Sequence, residues 1–252
     1  MNIAIVTKIL GKVIMCEGAL MLLPYITSLI FGEYDVSQVF AFTILICILI
    51  SIPLLLIKPK NDVMRIREGY VITALAWIML SIFGAIPFVL TGAISDPISA
   101  LFETVSGFTT TGASVLSDVE TLPKGLLFWR SFTHWIGGMG VLVFILTLTN
   151  LKGGSNTNLM RAESTGAQVE KLVPRLQSTA KILYGIYISL TVIQIIFLLA
   201  GGMPLFDALT MAFGTAGTGG FSIKNDSMAS YSPYLQGNQH TDFLDFSRIF
   251  SW

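Results

Sequence analysis

Two clusters of threonine and glycine hold residue types that can replace the water shell of a bare cation: Thr109-Thr110-Thr111-Gly112-Ala113-Ser114 and Gly217-Thr218-Gly219-Gly220-Phe221-Ser222. A potassium-sized ion reaches hydrocarbon depth only if protein oxygens substitute for its water, and ion filters do this with rings of backbone carbonyls. Turning successive carbonyls toward an ion needs unusual backbone angles, which glycine permits at little steric cost. Threonine adds a hydroxyl oxygen and is stiff at its branched Cβ. The residues expected to bind the ion are Thr110, Thr111, Gly112 and Ala113 in the first cluster and Gly217, Thr218, Gly219 and Gly220 in the second. One such cluster alone reads as a turn between helices. Two in register read as a pair of filter strands.

Each cluster follows a short apolar segment, 97–107 and 204–214. Asp96 suits an N-cap and Pro97 the first helical position. Eleven residues make a helix of about 16 Å, half the thickness of a bilayer core, so the segment enters halfway and turns back. The non-helical return must then line a polar cavity. The partly negative C-terminal ends of these short helices favour a cation. A shift of 107 residues superposes Pro97 on Pro204, Gly107 on Gly214, Thr111 on Thr218 and Gly112 on Gly219. The whole is an internal repeat of helix, pore helix, filter and helix.

The rest of the chain supplies the frame. It is 53% hydrophobic and 12% charged, with mean hydropathy +0.74, about half the charged fraction of a soluble globular protein. Five stretches, 9–31, 36–57, 70–92, 128–149 and 183–203, approach the roughly 20 apolar residues that a membrane span needs. The fold class expected is an all-α membrane protein, transmembrane helices with re-entrant pore loops. Basic residues gather in 58–68 and 150–181, which the positive-inside rule places in the cytoplasm together with the N-terminus. The first apolar stretch carries Lys12 and Glu17 and reads as a retained helix rather than a cleaved leader. Fifteen basic and fifteen acidic residues cancel, which gives no reason to expect a nucleic-acid partner. Phosphate-binding loops, G-x-S-x-G and H-E-x-x-H are missing from the sequence, so no enzyme is expected. Cys16 and Cys47 lie in apolar stretches and give neither a disulfide framework nor a zinc spacing.

Four other features carry chemistry. The glycines of His134-Trp135-Ile136-Gly137-Gly138-Met139-Gly140 serve either close helix packing or a close approach to the filter, and packing is preferred. His134 reads as an interfacial hydrogen-bonding residue. Glu17 is an intramembrane carboxylate, a functional feature by default, with Lys12 as its expected partner. Glu103, in the first pore helix, either adds negative potential near the ion path or bonds the backbone behind the filter.

With these motifs in place, the chain resembles the pore subunits of the bacterial Trk/Ktr potassium-uptake systems, the TrkH type most closely, over residues 1–236. The resemblance rests on residues 107–114, on Arg130-Ser131 followed by residues 134–140, on Met160-Arg161-Ala162-Glu163, and on residues 216–222. It implies four repeats around one pore, each filter strand centred on one glycine, here Gly112 and Gly219. It implies potassium as the transported substrate, no cofactor in this chain, and an inner-membrane location. The implied partners are the lipid bilayer, a second copy in a homodimer, and a cytoplasmic nucleotide-binding regulatory subunit, with residues 150–181 its natural contact. The expected organisation is a two-helix segment, 1–67; a first pore-loop repeat, 68–150; a cytoplasmic connection, 151–177; an incomplete second repeat, 178–236; and an atypical or truncated tail, 237–252. Two repeats of four are expected not to conduct unless complemented. The alternative reading is a non-conducting assembly or regulatory subunit.

Overall fold

The computed structural model describes residues 2–59, 66–150 and 169–231. Among them there are helices and loops and no strand. The first span is broken in two, α1 (Ile3–Leu20) and α2 (Leu22–Ile30). Pro24 explains the break, since it has no N–H to give the Leu20 carbonyl and its ring crowds that oxygen. α3 (Tyr34–Leu56), α4 (Ile66–Leu90), α5 (Pro97–Phe108), α6 (Lys124–Asn150), α7 (Val169–Ala200) and α8 (Leu205–Ala216) follow, with a 3₁₀ turn at Ser227–Ser230.

Among the described residues, four spans are long and apolar enough to cross a bilayer: Ile3–Ile30, Tyr34–Leu56, Arg67–Leu90 and Lys181–Ala200. They match four of the five stretches read from the sequence. The fifth, 128–149, lies within α6, a helix of 27 residues; its side chains beyond Gly140 are outside the described residues. Large apolar side chains such as Leu49, Ile78 and Ile196 are exposed along the long helices, where they meet lipid rather than water.

α5 and α8 have 12 residues each, about 18 Å at 1.5 Å per residue, too short to cross the roughly 30 Å core. α5 starts as expected: Asp96 Oδ2 accepts from the Ser99 backbone N–H (2.8 Å) and hydroxyl (2.6 Å), with Pro97 in the first turn. These hydrogen bonds, from the Ser99 hydroxyl first, hold the Asp96 carboxyl below its usual range. Thr104 ties α5 to α4 by donating to the Ser81 carbonyl (2.9 Å). α4 and α6 flank α5, and α6 and α7 flank α8, so each short helix is wedged between long ones.

The two-helix N-terminal segment is attached at both ends of this arrangement. α1 packs on α3 and α4, and α2 on α3 and α6. Glu33, in the turn between α2 and α3, accepts from the backbone N–H groups of Lys124 (2.6 Å) and Gly125 (3.0 Å) at the start of α6. A carboxylate there satisfies open donors and complements the positive helix end. Residues 151–168 of the connection and the tail 237–252 lie outside the described residues, and α7 is already helical from Val169. Glu33→Ala is expected to lower unfolding stability by about 1 kcal/mol, read as a reduced melting temperature of the purified protein in detergent.

Candidate functional site

Each short helix runs into one of the threonine–glycine clusters. The helix-end hydrogen bonds in the two copies are the same. In the first, the N–H groups of Thr109, Thr110 and Thr111 reach the carbonyls of Val105, Gly107 and Ser106; in the second, those of Gly217, Thr218 and Gly219 reach Phe213, Thr215 and Gly214. Every pair differs by 108 positions, not the 107 read from the sequence. Pro97 is inside its helix while Pro204 is the residue before one, so aligning the prolines displaces everything after them by one. The correct register pairs Thr110 with Thr218, Gly112 with Gly220 and Ser114 with Ser222.

Backbone angles repeat at the same shift. Thr110 (φ +54°) and Gly112 (+75°) match Thr218 (+56°) and Gly220 (+79°). Left-handed residues thus alternate with right-handed or extended ones, which turns neighbouring carbonyls toward a common side instead of opposite sides. A threonine with positive φ is strained, since its branched Cβ crowds the backbone, at a cost of about 1–3 kcal/mol. Two such residues at equivalent places in two loops make a repeated feature of the fold.

The loops touch each other. A Cβ built on Gly112 would lie 1.9 Å from the Gly219 carbonyl oxygen, whereas one built on Gly220 meets nothing within 4 Å. Gly219 itself lies against the His134 ring, with an added Cβ 1.7 Å from Cδ2. Gly219 therefore serves close packing, and Gly220 takes the place equivalent to Gly112. Thr109, Thr111, Ala113 and Ser114 are exposed on the first loop, and Thr218 and Gly220 on the second.

Behind the loops lies a buried ion pair. Arg130 of α6 donates from Nε to Glu103 Oε1 of α5 (2.6 Å), both side chains almost fully buried. Glu103 also accepts from the Ser114 hydroxyl (2.9 Å) and the Val115 N–H (2.9 Å). Arg130 extends the network to the second loop, donating from Nη1 to the Ser222 carbonyl (2.9 Å) and lying 3.5 Å over the Phe221 ring. His134 stacks on Phe221 with centroids 3.9 Å apart. One arginine therefore braces the trailing ends of both loops. Of its two expected roles, Glu103 takes that of bonding the backbone behind the first loop. Arg130 entered the sequence reading only as part of a motif; a lone arginine in an apolar helix is the signal that marks it.

Three further expectations change. His134 is fully buried, a packing residue of the second loop and not an interfacial one. In the glycine run, an added Cβ on Gly137 would lie 2.1 Å from the Phe108 carbonyl, and one on Gly138 3.1 Å from Gly217 Cα. Those two glycines bring α6 against the loops, while Gly140 packs on the Trp77 ring of α4. Lys12 is exposed, and Glu17 is buried without a hydrogen-bond partner among the described residues, so the expected Lys12–Glu17 pair does not form. Residues five apart on a helix point about 140° from each other.

Past the loops the two repeats are joined again. Asn225 donates from Nδ2 to Asp118 Oδ1 (2.8 Å) and accepts from the Val119 N–H (2.9 Å), and Lys224 pairs with Glu120 at 3.5 Å. The Asn225 amide holds the Asp118 carboxyl below its ordinary range. This link is present at neutral pH and is lost as pH falls through the depressed value.

Half-length helices, strained threonine–glycine returns and a braced rear face define a pore-loop membrane protein. The TrkH cation transport protein family matches residues 36–236, and the chain belongs to that family. It is 36% identical over 236 residues to the Trk system potassium uptake protein TrkH of Halomonas elongata, covering 92% of this chain and 48% of that protein. It is 34% identical to TrkG of Escherichia coli K12, covering 93% and 49%. The crystal structure of the potassium transporter TrkH from Vibrio parahaemolyticus superposes with TM-score 0.76 at 29% identity, over 93% of this chain and 47% of that one. The chain thus spans about half the length of these relatives.

Replacing Arg130 by Met, or Glu103 by Gln, leaves a buried charge or donor unpaired and is expected to cost about 3–5 kcal/mol. The double substitution Glu103→Gln/Arg130→Met should cost clearly less than the sum. Unfolding of the four proteins in detergent measures the coupling.

Proposed function

We propose that the chain forms two walls of a potassium-uptake pore of the Trk type, as the pore-forming subunit of such a system. The observation that carries this reading is the repeated loop: two strained returns, alike in hydrogen bonding and φ at a shift of 108, side by side and braced from behind. The ion-binding residues are Thr110, Thr111, Gly112 and Ala113, with Thr218, Gly219 and Gly220; Gly217, equivalent to Thr109 and buried against α6, comes before the second strand. Gly112 and Gly220 sit at the centres of the two strands, and Gly219 acts through its carbonyl. Potassium is the substrate, replacing water with loop carbonyls and threonine hydroxyls. Inward movement of one charge gains about 2.3 kcal/mol per 100 mV of membrane potential. No covalent step and no cofactor belong to this reading.

The reading places the chain in the inner membrane with a cytoplasmic N-terminus, on the strength of the basic residues in 58–68 and 150–181. Residues 1–67 brace the first repeat, 68–150; the connection 151–177 leads to the second, 178–236. The partners are lipid, a second copy of the chain, and a cytoplasmic nucleotide-binding regulator that meets the basic connection.

Rubidium uptake by the intact gene product, in a strain without uptake systems of its own, tests the assignment. Gly220→Ser meets no atom within 4 Å but puts a side chain on left-handed backbone (φ +79°), a strain of about 1–3 kcal/mol; compared at equal amounts of folded protein, it should cut uptake about tenfold, roughly 1.4 kcal/mol in the barrier, or admit sodium. Gly219→Ala, whose methyl would enter the His134 ring, should instead lower the yield of folded protein. Unchanged uptake and sodium exclusion in Gly220→Ser would reduce the second loop to a packing element.

A further inference from the structure

Glu17 lies in α1 at the depth of the apolar spans, 1% exposed, and neither carboxyl oxygen has a hydrogen-bond partner among the described residues. Glu103 shows how this fold partners a buried carboxyl: it supplies an arginine, a hydroxyl and a backbone N–H. Among the described residues nothing comparable faces Glu17. An isolated carboxylate ion in such surroundings is too costly to persist and sheds its charge by taking up a proton.

The surroundings also link Glu17 to the first loop. A Cβ on Gly84 of α4 would lie 3.4 Å from Glu17 Oε1 and 2.9 Å from the Phe108 ring. The notch at Gly84 is therefore filled from one side by the carboxyl and from the other by Phe108, the last residue of α5, next to Thr109. The Gly84 carbonyl is already taken by Trp129 Nε1 (3.0 Å). Among the described residues the titratable neighbours are few and none is a cation in contact. Cys47 of α3 and Cys16 of α1 lie within electrostatic reach, and Tyr184 of α7 lies near Cys16. Residues 71–90 of α4 include no titratable side chain. Lys12 is on an exposed face.

We propose that Glu17 is a proton-binding site: a neutral carboxylic acid whose proton keeps the Gly84 notch closed behind Phe108 and so supports the first loop. Loss of the proton in alkali leaves a bare charge that draws in water and parts α1 from α4 at that notch. The consequence for transport rests on the pore reading; the bound proton does not.

Infrared difference spectra of the intact gene product in lipid at neutral pH, wild type minus Glu17→Gln, read the proton directly. The expected result is loss in the variant of the carbonyl stretch of a protonated carboxylic acid, shifted downward in heavy water. Loss of ionised-carboxylate bands instead overturns the proposal. If the glutamine variant fails to fold, Glu17→Met serves the same subtraction with an apolar side chain of similar length. Rubidium uptake across neutral to alkaline pH supplies the second readout. Wild-type uptake should fall in alkali, and the permanently neutral Glu17→Gln should keep its neutral-pH rate. A variant that follows the wild-type profile overturns the link to the loop. Absence of uptake in wild type at every pH counts against the pore reading, and the infrared result then still decides the site.

Discussion

A charge buried in a membrane protein has little water to fall back on, and the arrangement of the loops follows from how one such charge pair is satisfied. Glu103 and Arg130 neutralise each other at 2.6 Å, and their remaining hydrogen-bonding capacity goes to the backbone on both sides. Glu103 holds the first loop at Ser114 and Val115, and Arg130 holds the second at Ser222 and Phe221. A buried pair adds little net stability over an apolar replacement. Its contribution is geometric: it fixes the trailing ends of two strained strands to one helix. Strain at Thr110 and Thr218 persists only where the surroundings over-determine the backbone, and this network does that.

Close approach supplies the other half of the constraint. Glycines of α6 let the Phe108 and Gly217 backbones lie against the helix, while Gly219 lets the His134 ring sit under the second loop. His134 and Arg130 sandwich the Phe221 ring from two sides. Behind this layer, Phe128, Phe132, Trp135 and Phe213 form a dense aromatic group between α6 and α8. The N-terminal segment reaches the same frame through Glu33 at the start of α6 and Glu17 at the Gly84 notch. Relatives share this half of the architecture, as the superposition on Vibrio parahaemolyticus TrkH shows.

Much of the fold was legible because membrane helices obey simple rules. Span length and hydropathy found the long helices, and Asp96-Pro97 marked the start of α5 by capping chemistry. The register between repeats was misread because identical residues, Pro97 and Pro204, occupy different cap positions. The spacing shared by Thr110, Gly112, Ser114 and Thr218, Gly220, Ser222 held the better signal. Pairing across the fold was not legible. Nothing local says that Arg130 reaches Glu103 rather than an acidic residue nearer in the chain, or that His134 turns inward against Phe221. Lys12 and Glu17 failed as a pair for a reason that helix geometry contains, since five residues place them on different faces.

Whether the two loops are cation-binding walls of one pore can be seen by anomalous diffraction from crystals of the intact gene product grown in rubidium. Cation-binding walls should show rubidium density in contact with the carbonyls of residues 110–113 and 218–220, displaced by excess potassium. Rubidium density elsewhere in the molecule with none between these loops would contradict that assignment.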